Sequence, residues 1–465
     1  MAGELNLPNE WEARHYQTPL FNHMFQGGLE GKRAAEVWHR RGGKDSCCLN
    51  LSAVASQMRV GTIWHMLPTL KQGRRVIWDG IDKYGRRMID QAFPKEMRAA
   101  NGINNADMQL RFANGSIYQV VGSDNYDSLV GTNPVGIIFS EWSIADPAAW
   151  DYIRPILAEN NGWALFIYTP RGKNHGFKLH ESFEKLAAKN PKYHASILTV
   201  RDTTYPDGRP IISEEIIQEE REAGMSEEKI QQEFYCSWDA GLEGAFFSKE
   251  LALAEKEGRI GDFPHNPAKT VQTAWDIGFR DKNCIGFTQR HESGAPIFID
   301  YMEGRNKSLI DWIREVRSLP YDYDYHYGPH DLEQHEYGSG MTRIEIAQGL
   351  DFNFDVVEKL FVQDGIEQVR RMLRVGYFNR PLVERMLDGL YSYRREFDER
   401  LNLFRDKPVH DWSSHPADMV RYLSTAWDYD RPTSGISNTR FRAVRSVGNN
   451  HLINDQNPRV MRAGR

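Results

Sequence analysis

The sequence predicts an α/β protein built from two unlike domains in tandem, and three observations carry that prediction. In the first half, the apolar runs "RAAEVWH", "GTIWHML", "VGIIFS", "ALFIYT" and "YHASILTV" alternate with helical patterns near 44–57, 147–158, 175–189 and 213–236. Strands alternating with helices argue a parallel sheet. Near 241–249 the stretch "GLEGAFFSK" interrupts the pattern. Beyond it, "TVQTAWDIG", "NCIGFTQRH" and "PIFIDYMEG" read as three strands at hairpin spacing, the opening of a mixed sheet. The expected organisation is a first domain over 1–240, a linker over 241–268, a second domain over 269–430 and a flexible basic tail over 431–465.

Composition agrees with this layout. A chain of 465 residues exceeds one ordinary domain, and 40% hydrophobic with 12% aromatic residues is enough for real cores. Mean hydropathy of −0.61 and 26% charged residues mark a soluble protein. No apolar run approaches the ~18 residues of a membrane span, and "MAGELNLPNEW" lacks the basic and apolar regions of a signal peptide. A net charge of −6 is not that of a protein coating nucleic acid by bulk electrostatics, although a local basic channel is compatible with it. Cys47, Cys48, Cys236 and Cys284 show no paired ligand spacing, which disfavours a structural zinc site and points to a reducing compartment. The tail carries seven arginines against one acid, Asp455; an arm that orders on a partner and an inert end both fit.

Taken in order, the first informative element is "HRRGGKDSCC" at 39–48, where a glycine-rich turn follows an apolar strand and opens a helix. Backbone amides of Gly42, Gly43, Lys44, Asp45 and Ser46 would face a phosphate there, with Lys44 reaching the β- and γ-phosphates of ATP. The usual loop is G-x-x-x-x-G-K-[ST]; here Trp38 stands where the first glycine belongs and Asp45 where the hydroxyl belongs. "LRFANGSIYQVV" adds a hairpin, with Asn114-Gly115 expected as its type I′ turn.

The run "PVGIIFSEWS" is a buried strand ending in Ser140-Glu141. In P-loop ATPases such a strand ends in Asp, for the Mg²⁺ shell, followed by Glu, to orient the attacking water. Glu141 holds the second place, and Ser140 replaces the aspartate. The two departures have one explanation: this chain supplies the carboxylate from the loop and the hydroxyl from the strand. Mg²⁺ requires hard oxygens in octahedral geometry, whichever segment provides them. An exchanged Mg²⁺ shell of Asp45 and Ser140 is therefore expected. "ALFIYTPRGKNHGF" then places Thr169 and Asn174 at the C-terminal edge of the sheet, where open α/β sheets bind ligands and where a segment could sense the γ-phosphate.

In the second domain, Asp276 lies on the first strand, Asp331 just past a later strand in "HYGPHD", and Asp418 in the last helix, "SSHPADMVRYLSTAW". Two-metal phosphodiester hydrolysis needs carboxylates converging on ions ~3.5–4 Å apart, and two strands plus a helix are a natural source. Mg²⁺ is the expected ion, with Mn²⁺ also suited to all-oxygen ligands. Asp300, Glu333 and Asp411 are possible extra ligands; the nearby His330, His335, His410 and His415 read as solvated side chains. Arg370, Arg371, Arg374, Arg394 and Arg395 form two clusters that suit either phosphate contacts or solvated helix faces.

These motifs, spread over roughly residues 15–430, resemble those of the large terminase subunits, the DNA-packaging motors of tailed double-stranded-DNA viruses. The resemblance implies an additional-strand P-loop ATPase domain joined to an RNase H-like nuclease domain. It implies Arg40 as the arginine offsetting charge at the γ-phosphate, with Arg41 as rival, and Gln17 of "RHYQTPLF" as the adenine-reading glutamine. "TPRGKN" is similar to the family's coupling motif, T-P-x-G-x-N. Asp276, Asp331 and Asp418 resemble its nuclease positions, and Asp281 its auxiliary acid. It further implies double-stranded DNA, a procapsid portal, a small terminase subunit and a homo-oligomeric ring as partners, with no membrane, in the host cytoplasm. A helicase or remodeller lacking nuclease activity, and a non-enzymatic assembly protein with a decayed nucleotide fold, are the competing readings.

Overall fold

The computed structural model describes residues 10–82, 84–129, 131–239, 244–278, 282–335, 340–398 and 403–430. Asp281 and the expected tail, 431–465, lie outside the described residues.

The first sheet comprises β1 (Arg33–Trp38), β2 (Thr62–Leu67), β3 (Arg98–Asn104), β4 (Gln109–Phe112), β5 (Ile117–Gly122), β6 (Pro134–Ser140), β7 (Trp163–Tyr168) and β8 (Tyr193–Leu198). Their order is β3-β4-β5-β2-β6-β7-β1-β8. The six from β5 to β8 in that order run parallel, and only the β3-β4-β5 edge is antiparallel. The α/β class expected from the alternating runs is the one found. β1 is buried along its whole length, as an interior parallel strand must be. The decisive feature is that β7 lies between β1 and β6. The glycine-rich loop after β1 and Ser140 at the end of β6 therefore flank the end of β7 and the residue that follows it, Thr169.

Two local expectations are corrected. The β4-β5 connection is not a type I′ turn, because Gly115 has φ +92° while Asn114 keeps a negative φ. Gly115 N donates to Phe112 O (3.0 Å) and Phe112 N to Ser116 O (2.8 Å), so Gly115 supplies a left-handed bulge residue instead. Asn114 is held by its side chain, which donates to Ser56 O and accepts from Ser116 N. The helix expected over 213–236 is two helices, Glu214–Glu222 and Glu227–Glu233. Gly224, at φ +96°, ends the first, and Ser226 caps the second by accepting from Lys229 N.

The second sheet comprises β9 (Ile260–Gly261), β10 (Val271–Asp276), β11 (Asn283–Arg290), β12 (Pro296–Gly304), β13 (Tyr323–Gly328), β14 (Asp355–Val356) and β15 (Tyr377–Asn379), in the order β14-β13-β10-β11-β12-β15-β9. β10, β11 and β12 form the expected antiparallel meander, and β13 adds parallel to β10 on its other side. This is the mixed sheet expected for the second domain. The last helix, Ser414–Ala426, lies against it through Met419, Val420 and Leu423. Gly286 on β11 permits the close approach: a Cβ there would stand 2.6 Å from Met419 Sδ. Part of the stretch expected as a linker also belongs here. Helix Ser248–Lys256 buries Leu251 and Ala254 in the second core, and β9 pairs with β15.

The two domains meet through a buried ion cluster. Asp146, fully buried six residues past Ser140, lies 2.9 Å from Lys282 Nζ and 3.2 Å from Arg385, and both cations also reach Glu303. Burial alone would raise the Asp146 carboxyl, but the two cations hold it down to about 2. Such a cluster is strongly disfavoured when one partner is removed, because a buried charge is then left uncompensated.

Candidate active sites

Helix Lys44–Met58 starts at Gly43, whose φ of +80° and lack of a side chain let the chain turn tightly into the helix. The first-turn amides of Lys44, Asp45 and Ser46 have no partner within the helix, as at any helix start, and they add the positive end of its dipole. Lys44 is buried and lies back across the loop. Its ammonium donates to Thr169 Oγ1 (2.8 Å), His39 O (3.2 Å) and Trp38 O (3.3 Å). A phosphate placed at this loop would find the cation already aimed along it.

Ser140 Oγ donates to Asp45 Oδ1 at 3.3 Å, across 95 residues of sequence. The hydroxyl from the strand and the carboxylate from the loop thus occupy one place. Burial, followed by the charge of Glu141, raises the Asp45 carboxyl to about 6; Lys44 and the Ser140 hydroxyl oppose the rise only in part. A half-buried carboxylate short of positive charge, paired with a hydroxyl, is a donor set of hard oxygens and fits Mg²⁺. Glu141 follows in the left-handed region, at φ +56°, ψ +41°, a conformation that costs a non-glycine residue energy and concentrates at functional positions.

The other expected contacts divide. Gln17 is not a surface residue: its Oε1 accepts from Arg14 N (3.1 Å) and its Nε2 donates to Gly42 O (3.4 Å), behind the loop. Ser46 Oγ accepts from Trp11 Nε1 (3.1 Å). Asn174 stands back from the loop. It caps helix His175–Ala187 by accepting from Gly176 N, and it donates to Ser143 O at 2.6 Å, tying the T-P-R-G-K-N turn to the turn after Glu141. Arg40 is largely exposed, with its guanidinium 4.0 Å from Glu233; Arg41, at φ +69°, is exposed beside it. Sequence reasoning missed Trp11, Arg14, Tyr16, whose hydroxyl donates to Gly42 O (3.2 Å), and Glu233. The first three were discoverable from their nearness to Gln17. Glu233 carried no local signal.

In the second domain, Asp276 at the end of β10 and Asp331 in the turn after β13 lie at the same edge of the sheet, because these strands are parallel neighbours. Helix Ser414–Ala426 brings Asp418 to that edge, and the charges of all three carboxylates bear on the Tyr422 phenol. Each acid nevertheless has its own partner. Asp276 Oδ2 lies 3.1 Å from His415 Nδ1, Asp418 accepts from Arg421 Nη2 (2.8 Å) and Nε (3.1 Å), and Asp331 accepts from Gln334 Nε2 (3.0 Å) beside His330. Burial, and after it Asp418, raises the Asp276 carboxyl to about 6 although His415 opposes. Among the described residues, no three His, Cys, Asp or Glu side chains are gathered as tightly as metal ligands. The all-carboxylate chemistry fits Mg²⁺ or Mn²⁺ once the side chains close in.

Two further candidate ligands are occupied elsewhere. Asp300 accepts from Tyr321 OH and Asp411 pairs with Arg394. His415 is not solvated but buried against Asp276. In the arginine clusters, Arg370 pairs with Glu367, Arg374 with Glu250, Arg394 with Asp411 and Arg395 with Asp406.

No protein-family model matches the chain. Over 354 residues it is 24% identical to the large terminase subunit of Escherichia phage T5, a match spanning 69% of this chain and 71% of that protein. Among solved structures it is similar to the large terminase of a thermophilic bacteriophage in complex with ADP (14% identity, 89% of this chain and 98% of that one, TM-score 0.38). It is also similar to the large terminase ATPase domain of Thermus phage P74-26 (16% identity, 50% and 100%, TM-score 0.38). A third likeness is to the large terminase nuclease domain of phage G20c with bound cobalt (13% identity, 40% and 99%, TM-score 0.30).

Proposed function

We infer that this chain, a relative of the large terminase subunits, is a two-domain packaging enzyme. Its first domain, over 1–240, hydrolyses ATP to move double-stranded viral DNA into a procapsid. Its second, from the helix at 248 to about 430, cuts the concatemeric genome. The observation that carries the reading is the meeting of Asp45 and Ser140 at the end of the strand pair flanking β7, beside Lys44 and Glu141. A decayed nucleotide fold would have no reason to keep a carboxylate and a hydroxyl together at the cost of partly desolvating the carboxylate.

Lys44 leaves Thr169 to donate to the β- and γ-phosphate oxygens, while the loop amides receive the remaining charge. Asp45 and Ser140 would hold Mg²⁺, and Asp276, Asp331 and Asp418 would hold Mg²⁺ or Mn²⁺; when bound, these ions neutralise phosphate charge at the first site, and at the second ready a water and steady the leaving oxygen. Glu141 orients the water that attacks the γ-phosphate. Arg40, reaching from the exposed side of the loop, offsets charge that builds on the transferring group. His415 and Arg421 hold the Asp276 and Asp418 side chains at the sheet edge. Portal, small subunit and a ring of copies complete the proposed machine in the host cytoplasm. Among the described residues, no helix is long and apolar enough to cross a membrane.

ATP binding by the purified chain, with and without Mg²⁺, tests the reading. Lys44→Ala is expected to weaken binding by at least about thirtyfold, the worth of charge-assisted hydrogen bonds to phosphate. Asp45→Ala is expected to remove only the Mg²⁺ dependence. A wild-type chain that binds no ATP overturns the motor.

A further inference from the structure

Glu233 ends helix Glu227–Glu233 and is buried, with its side chain 5% exposed. Its carboxylate stands between two guanidiniums. Oε1 accepts from Arg171 Nη1 and from Gln232 Nε2 (3.2 Å), and Oε2 lies 4.0 Å from Arg40 Nη1. Its main chain is bound to the same loop, since Arg40 N donates to Glu233 O at 2.8 Å. Arg171 is the first of the two variable residues of T-P-R-G-K-N, two positions past the Thr169 that receives Lys44. Arg171 also lines a cleft of about 1270 Å³ between the two domains, together with Lys173, Phe177, Trp238, Arg370 and Arg395. One carboxylate thus links the phosphate loop to the wall of the interdomain cleft.

We propose that Glu233 is a positioning residue that occupies the place of the γ-phosphate for Arg40 when no triphosphate is bound, and that it passes the arrival and loss of that phosphate to Arg171. The proposal rests on the nucleotide-site reading above. The chemistry is a competition. A carboxylate is a weaker partner for Arg40 than the phosphate that would compete for it, because phosphate carries more charge and more acceptor oxygens. The exposed partner is Arg40, whose side chain is 61% exposed, against 19% for Arg171. When a γ-phosphate takes Arg40, Arg171 is the one guanidinium left to the Glu233 carboxylate and their pairing tightens. Loss of the phosphate returns Arg40 and divides the carboxylate again. The cleft wall therefore responds to the third phosphate without touching nucleotide.

The competition gives two substitutions effects of opposite sign on one quantity, the ratio of ATPγS to ADP affinity of the purified full-length chain. Glu233→Gln removes Arg40's resident anion, and the ratio should rise about threefold to fivefold, the range of a partly exposed ion pair. Arg171→Ala leaves Arg40 as the carboxylate's only guanidinium, and the ratio should fall by a similar factor. Both effects should vanish in an Arg40→Ala background. A structural role would move the two variants in the same direction and would affect ADP as much as ATPγS. Equal ratios, shifts of the same sign, or shifts that survive Arg40→Ala overturn the proposal. Should Glu233→Gln not fold, Arg171→Ala alone, with and without Arg40, decides it. If wild type binds both nucleotides with the same affinity, the relay is wrong and the nucleotide site stands. If wild type binds neither, the site reading fails first, and the two failures are thereby told apart.

Discussion

The two acidic centres are assembled in different ways. At the nucleotide loop, Asp45 and Ser140 touch each other, and the nearest cation, Lys44, is turned toward Thr169. At the second centre each carboxylate touches a partner of its own: His415, Arg421 or Gln334. The first centre is built by sheet order, because adjacent parallel strands end at one edge and fix their loops within a few ångströms of each other. The second draws on two strands and a helix, whose approach depends on side-chain packing such as Met419 over Gly286. A site made by strand order is preformed. A site made by packing a helix on a sheet is held in waiting by its counter-groups.

The largest effects should separate the two centres. Asp276→Asn and Asp418→Asn are each expected to lower metal-dependent cleavage of duplex DNA by at least about 10³-fold, since each removes a charge that would hold the ions. ATP binding should stay within twofold of wild type. Lys44→Ala should do the converse. Cleavage that survives Asp276→Asn would return the second domain to the helicase-type reading.

The exchange of carboxylate and hydroxyl sharpens the first half of the comparison. Asp45→Ser leaves two hydroxyls, and Ser140→Asp puts a second carboxylate about 3 Å from Asp45 and next to Glu141. Each alone should remove the Mg²⁺ enhancement of ATP binding, on the order of tenfold or more, and the double variant should restore most of it. Two harmless single variants would falsify the exchanged shell.

How far the sequence carried this picture follows from the range of the interactions involved. The alternating runs, the glycine-rich loop, the Ser140-Glu141 strand end and the β10–β12 meander are signals within a few dozen residues, and each was legible. Strand order was not. Nothing in the alternation of strands and helices says that β7 inserts between β1 and β6, yet that insertion places Thr169 against Lys44. The Asn114-Gly115 turn was misread because the dipeptide rule omits the Asn114 side chain, which finds Ser56 and Ser116 and keeps its own φ negative. The arginine clusters were ambiguous for the opposite reason, their acidic partners being scattered from Glu250 to Asp411. Glu233 was invisible: it meets Arg171 across 62 residues, in a helix that looks solvated on its acidic face.

The smallest effect tests the comparison through proton linkage. Asp45 and Asp276 are both raised from about 3.8 to about 6 by burial. Between those values the folded chain keeps a proton that the unfolded chain has released, so stability falls as pH rises through the window and the full penalty is present at pH 7. Asp45→Asn removes that penalty. In metal-free buffer the variant should match wild type near pH 4 and exceed it by about 1–3 kcal/mol at pH 7, read as a denaturation midpoint that diverges from wild type between those pH values. Asp276→Asn should gain less, because it also exchanges the charged acceptor of the buried His415 ring for a neutral amide oxygen and weakens that hydrogen bond. Equal gains at the two positions would mean that His415 is no counter-group, and that the second centre is as preformed as the first. A gain at Asp45 that does not vary with pH would mean that the carboxylate is not held strained against a missing charge, and the physical case for a metal at that place would be lost with it.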